Sequence, residues 1–350
     1  MSSLPTLGHP PRSGRAALAV GVLLVASVGG GFYVKARRTA AEQARVAADA
    51  ALRALAEAQA DAARIAAASG PEARAPGSDR PEDQAGVHRL SLRIDGPLER
   101  GIVASAGRAV GLPLTQVVAR ALVWWVDVPS DFRKGDVIDV LYELRPGEEP
   151  LIHAVRFHSA KMAKQFRAYR FQPAGARFAR LYQPDGSELE LRLEDAPLDD
   201  YEQVTSLLRD GRGHKGVDFK TPVGTPVRAT FDGTVLRRTW NFQMNGNSLE
   251  VREDGGQRRV AALLHLSDLA PAAQVGAHVK RGQVIAHSGN TGHSFAPHLH
   301  YQLETPRRSI LDPFASQATT RRSLPAEQKA AFDAEVHRLD ALLGVGEAGT

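Results

Sequence analysis

The stretch APHLHYQLE, residues 296–304, decides how the rest of the chain is read. As a strand it sends Leu299, Tyr301 and Leu303 to one face and His298, His300, Gln302 and Glu304 to the other, because side chains alternate with period 2. The apolar set belongs to a core. The other face carries two imidazoles two residues apart, a spacing that lets both turn toward one point. An isolated His-x-His is more often an ordinary surface strand, so its meaning depends on what the neighbouring sequence supplies.

Three further positions supply it. HKGVD gives His214 and Asp218, and LLHLSDL gives His265. Around them TPVGTPVRATFDGTVL has the turn residues Pro222, Gly224, Asp232 and Gly233 between short apolar runs, and VGAHVKRGQVIAHSGNTG repeats the style. A mainly β domain is therefore expected over 196–315. The chain has no cysteine, which excludes a disulfide framework and thiolate ligands and leaves nitrogen and oxygen to hold any metal. A catalytic zinc site keeps three protein ligands and one open position. Two histidines and one aspartate meet that requirement, and two histidines remain to move protons and stabilise an oxyanion. Each piece alone is weak: His-x-x-x-Asp is common, and His265 in an apolar strand reads equally as a core residue.

The charge balance is mild, 44 Lys+Arg against 39 Asp+Glu, with the excess in residues 205–312. That suits an anionic partner, but no aromatic cluster accompanies the basic residues and no nucleic-acid partner is expected. Upstream, AALAVGVLLVASVGGGFYV at 16–34 holds no charge and as a helix spans about 28 Å, a match to the membrane hydrocarbon core. Lys35, Arg37 and Arg38 follow it without a small-x-small cleavage site, which favours an uncleaved transmembrane anchor over a signal peptide. Basic residues flank both sides, so charge does not orient it.

Alanine-dense 35–68 reads as a helical stalk, and 69–87, rich in Pro, Gly and charge, as a linker. Residues 88–195 read as an upstream α+β domain, with strands in HRLSLRIDGPLERGIV, DVIDVLYEL, AYRFQP and GSELELRLE and a helix in SAGRAVGLPLTQVVARALVWW. His153 and His158 there have no partner at a useful spacing and read as plain strand residues. In the tail, 316–350, SLPAEQKAAFDAEVHRLDALLG reads as one amphipathic helix with a stripe of Phe332, Val336, Leu339 and Leu343.

GHKGVDFKTPVGTPVRATFDGTV, LLHL and VKRGQVIAHSGNTGHSFAPHLHYQLE, spanning roughly 205–312, together resemble the lysostaphin-type (LytM) zinc peptidases. The resemblance implies a barrel-sandwich-like antiparallel sheet with an open groove and one Zn2+ per catalytic domain. It implies His214, Asp218 and His300 as zinc ligands and His265 and His298 as the catalytic pair. It further implies a peptidoglycan hydrolase, a zinc-dependent endopeptidase that cuts peptide cross-links with metal-activated water. WWVDVPSDFRKGDVIDVLYE resembles the domain preceding the peptidase in membrane-anchored Gram-negative murein DD-endopeptidases. That implies a single-pass inner-membrane protein with residues 1–15 in the cytoplasm, the catalytic domain in the periplasm, and an upstream domain that regulates the groove by covering it. YEQVTSLLRDGRGHKG, entering the first motif, is shorter than is usual in the family.

Two other readings compete. A non-catalytic LytM-type activator of a cell-wall amidase typically lacks zinc ligands, and this chain lacks none. A biotinyl or lipoyl carrier has strands like VGTPVRATFDGTV and VGAHVKRGQVIAHSG but needs a lysine at the hairpin tip, and none lies between Val235 and Val275.

Overall fold

The computed structural model describes residues 86–128, 130–208 and 213–344. The expected tail at 1–15, membrane span at 16–34, stalk at 35–68 and linker up to residue 85 lie outside the described residues. The described residues cluster as one unit.

Strands β1 (Val87–Arg93), β2 (Val137–Glu143), β3 (Leu151–Ser159), β4 (Lys164–Phe171) and β5 (Arg180–Tyr182) form an antiparallel meander in that order. One face of this sheet, through Ile138, Val140, Val155 and Phe157, packs on Ile102, Leu114, Val118 and Leu122 of the helix Leu98–Leu122. The opposite face, through Leu141, Ala154 and Tyr169, packs on Phe332 and Leu339 of the C-terminal helix Lys329–Leu342 and on Leu343, which caps it. Burial on both faces explains why β2 is nearly continuously apolar. Truncating a fully buried Leu of these layers to Ala would cost about 2–5 kcal/mol.

Several readings of this half need correcting. LERGIV, expected as strand, opens the helix instead: Pro97 precedes it and Glu99 sits in its first turn, where a carboxylate favours the positive end of the helix dipole. The helix is broken at Gly107, whose φ is 74°. It is long and apolar enough by composition to cross a membrane, yet its apolar side is part of the core just described and gives no support to an anchor. GSELELRLE forms only the two-residue β6 (Arg192–Leu193). Its alternation reflects a buried charge network, with Arg192 on Glu188 at 2.7 Å and the Glu190 carboxyl pushed up to about 7 by burial. The tail helix starts later than expected, after a 3-10 turn at Ala326–Gln328.

The second sheet is antiparallel, and mainly β structure is what 196–315 displays. Among the described residues its order is β14 (His278–Val279), β10 (Gly233–Arg238), β11 (Asn247–Glu253), β12 (Val260–Leu266), β16 (His298–Glu304), β8 (Val217–Lys220) and β7 (Gln203–Ser206). A smaller sheet of β13 (Asp268–Leu269), β15 (Val284–His287) and β9 (Pro226–Arg228) closes the other side of the core. Leu299, Tyr301 and Leu303 are fully buried in that core with Val217, Phe219, Leu263 and Leu266. The alternation of 298–304 thus places its apolar side inward and leaves the two histidines on the other face.

Candidate metal centre

β8 and β16 run antiparallel with Asp218 directly opposite His300. Opposed residues share a face, so the carboxylate and the imidazole meet, with Asp218 Oδ1 2.8 Å from His300 Nδ1. His214, just before β8, brings Nε2 to 3.1 Å from Asp218 Oδ1 and 3.0 Å from His300 Nδ1. These three residues offer one ligand atom each, all within 4.8 Å of one another. Three donors about 2 Å from one tetrahedral ion stand about 3.3 Å apart, so this triangle fits a small divalent cation. The donor set, two imidazole nitrogens and a carboxylate oxygen, is one that zinc accepts.

The rings are oriented from behind. His214 Nδ1 lies 3.1 Å from the Leu207 carbonyl oxygen, which can only accept, so Nδ1 carries the proton and Nε2 is left with its lone pair facing the centre. Ser206 Oγ is 2.9 Å from the same nitrogen. Burial alone would raise the Asp218 carboxyl, but its hydrogen bonds with His214 and His300 outweigh that and hold it well below the usual carboxylate range. Gly216 lies against this cluster: a Cβ there would run into the Tyr301 carbonyl oxygen and the His300 ring, so only glycine lets the segment before β8 approach β16.

His298 and His265 stand beside the triangle. His298 Nδ1 donates to the Ala296 carbonyl at 2.8 Å, and its Nε2 is 3.8 Å from Asp218 Oδ1. His265 Nδ1 donates to the Thr291 carbonyl at 2.9 Å. The two rings are 4.8 Å apart, and His265 lies 6.2 Å from the His300 ring. Burial pushes the His265 imidazole down to about 4, so at neutral pH it is uncharged and its Nε2 is a proton acceptor.

The position of His265 is not what strict alternation implies. Leu263 pairs with Tyr301 of the core, and a residue two further on would point the same way. Between Asn247 and Leu249 of β11, however, the register on β12 advances from Leu266 to Leu263, which is a bulge. His265 sits in it with φ of 63°. Bulges re-aim side chains beside functional sites, and here one turns a core-facing position toward the metal centre. Gly292 supports it: the loop carrying Thr291 packs so closely on Gly246 that a Cβ at either position would meet the other's backbone neighbours.

All five residues singled out in the sequence therefore come together. Sequence reading missed the groups that hold them: Ser206, and the carbonyls of Leu207, Thr291 and Ala296. Backbone acceptors leave no signature in a sequence. It also missed the wall facing the centre. A cleft of about 690 Å³ has Asp218, Lys220, Phe295 and His298 on one side. On the other are Val117 and Arg120 of the Leu98–Leu122 helix, Trp124 just after it, and Glu148, Glu149 and Pro150 of the β2–β3 hairpin. Arg120 grips Glu149 through two hydrogen bonds of 2.6 and 2.8 Å, tying helix to hairpin.

Residues 212–313 match peptidase family M23. The chain is 30% identical over 213 residues to peptidoglycan DD-endopeptidase ShyC of Vibrio cholerae, covering 57% of this chain and 47% of the relative. It is 30% identical over 257 residues to peptidoglycan DD-endopeptidase ShyB of the same organism, covering 69% and 58%. Over 96 residues, 27% of this chain and 26% of the relative, it is 45% identical to glycyl-glycine endopeptidase ALE-1 of Staphylococcus capitis. The chain thus spans about half the length of the first two relatives.

Proposed function

Because residues 212–313 are a peptidase family M23 domain, of the lysostaphin or LytM type, we propose that this protein is a zinc-dependent endopeptidase that hydrolyses peptide cross-links of peptidoglycan. The observation that carries the reading is the convergence of His214, Asp218 and His300 within 3.1 Å of one another, beside two more imidazoles tied by Nδ1 to backbone carbonyls. The names of the Vibrio relatives support the substrate class. The proposal divides the chain into an upstream domain at 88–195, a metallopeptidase domain at 196–315 and a C-terminal segment at 316–350.

His214, Asp218 and His300 would hold one zinc ion through Nε2, Oδ1 and Nδ1. When bound, the ion would polarise the scissile carbonyl and acidify a water. His298 and His265 do the proton work. Each has Nδ1–H engaged by a carbonyl, so each presents Nε2, which takes a proton from the attacking water as a base and, once protonated, donates a hydrogen bond to the tetrahedral oxyanion or a proton to the leaving amine. The neutrality of His265 at rest suits the base role. The intact five-residue set weighs against the amidase-activator alternative.

In this reading the upstream domain regulates access, since helix and hairpin residues form the wall facing His298 across the cleft. A substrate outside the inner membrane calls for an exported catalytic domain, so residues 16–34 are assigned as a single-pass anchor with residues 1–15 in the cytoplasm and the rest in the periplasm.

The test is digestion of purified sacculi by the full chain with and without a chelator. Cross-linked muropeptide dimers should disappear, chelator should stop the loss, and added zinc should restore it. Undiminished dimers with zinc-loaded protein would overturn the proposal.

A further inference from the structure

A second cavity, about 710 Å³, lies away from the metal centre, between the five-stranded sheet, the loop after β4 and the C-terminal helix. Arg145, Arg170, Arg177 and Arg338 line it, with Glu202 and Glu335. The carboxylates at its walls already have cations. Glu335 is held by Arg338 through two hydrogen bonds of 2.8 and 2.7 Å. Glu202 accepts from Lys220 at 2.8 Å. Glu143, behind Arg145, accepts from Arg145 at 2.9 Å and pairs with His153 at 3.0 Å.

That leaves two guanidinium groups without a carboxylate within ion-pair distance among the described residues. Arg170 donates only to carbonyls, Nε to Ile152 at 2.6 Å and Nη1 to Ala179 at 3.3 Å. A guanidinium stays charged in proteins, and burial opposes that charge here. The carboxylates that attract it, Glu202 and Glu190, act only from beyond ion-pair distance, and an anion brought to it supplies a direct partner. Arg177 lies with its guanidinium 5.1 Å from the Phe178 ring centre, a contact on one face of the group that leaves its N–H edges free to donate.

The loop that carries Arg177 is preformed. Ala174 is clamped at both backbone groups by the Gln328 side chain, at 2.7 and 3.3 Å, which fastens the loop to the start of the C-terminal helix. Gln172 donates to the Ala176 carbonyl at 3.0 Å within the same loop.

We propose that this cavity is a binding site for an oxyanion, a carboxylate or a phosphate, held by Arg170 at its back and Arg177 at its mouth. Planar guanidinium forks match both groups in bidentate geometry. The cavity shares Arg145, Leu151, Arg170 and Glu202 with the wall of the metal-centre cleft. An acidic group of an extended polymer lying in that cleft is therefore within reach of the site, as is a free anion. The site itself rests on the arginines and does not depend on the hydrolytic reading.

The experiment is calorimetric titration of the full chain, at constant ionic strength in chloride, with inorganic phosphate and separately with N-acetyl-D-alanine. Saturable binding in the millimolar range is expected for at least one probe. Binding of phosphate alone assigns a phosphate ligand, and binding of the N-acetylated amino acid alone or of both assigns a carboxylate. Arg170→Met should weaken it at least tenfold. Arg177→Ala, a change at an exposed position that leaves the fold intact, should weaken it about threefold or more. Protein stripped of metal with a chelator should bind as the untreated protein does, which separates this site from the metal centre. No saturable heat with either probe, or unchanged binding in both arginine variants, overturns the proposal.

Discussion

On the five-stranded sheet His153 pairs with Glu143 at 3.0 Å and Asp139 accepts from Arg156 at 2.9 Å. On the larger sheet Asp218 is ringed by His214, His300 and His298, and among the described residues its ion-pair partners are imidazoles alone. The residue types are the same in both halves, and the histidines of both sit on or beside strands. What differs is closure. In the first half His153 and Asp139 are each paired with a neighbour on an adjoining strand, and no set of lone pairs converges. In the second, lone pairs converge while the far side of three rings is fastened to carbonyls, which stores a demand that a cation satisfies.

Breaking the second arrangement should have the largest effect. Asp218→Ala removes the carboxylate donor, so the protein should lose its metal and its hydrolysis of sacculi together, measured by metal analysis and muropeptide chromatography. His153→Gln, the matching change in the closed half, should alter neither. Next in size, Ser206→Ala withdraws the hydroxyl behind His214 and should weaken metal affinity about 10- to 100-fold, the usual cost of losing a partner of a ligand. A competition titration against a chelating dye reads it. Smaller again, Glu149→Ala frees the hairpin from Arg120 at the cleft wall. An exposed ion pair contributes about 1 kcal/mol or less, so hydrolysis of sacculi should rise by no more than about fivefold. A rate equal to or below that of the parent would count against the covering role.

Period-2 alternation made much of this legible. It placed His298 and His300 on one face of β16, and the turn residues flanking 217–220 marked the strand that opposes it. It failed where local rules are broken by tertiary contacts. His265 faces the centre only because of a bulge in β12, flanked by the packing of Gly246 and Gly292, which lie 19 and 27 residues from it in different loops. The pattern of 186–194 looks like a strand because Glu188, Glu190 and Arg192 alternate with leucines, yet Glu188 and Arg192 are buried as an ion pair. Leu98 to Val103 alternates too weakly to decide between strand and helix, and Pro97 at the helix start decides it. The residues of the cleft wall were invisible because they lie 68 to 101 positions from Asp218 and 148 to 181 from His298 in the chain.

The central claim divides five side chains into three that hold an ion and two that move protons. Metal content and hydrolysis measured on the same preparations of His298→Ala, His265→Ala and His300→Ala test it most directly. The account predicts one equivalent of zinc retained in the first two with hydrolysis down by about 10²- to 10⁴-fold, and zinc lost in the third. Full activity in His298→Ala, or a full zinc complement in His300→Ala, would contradict it.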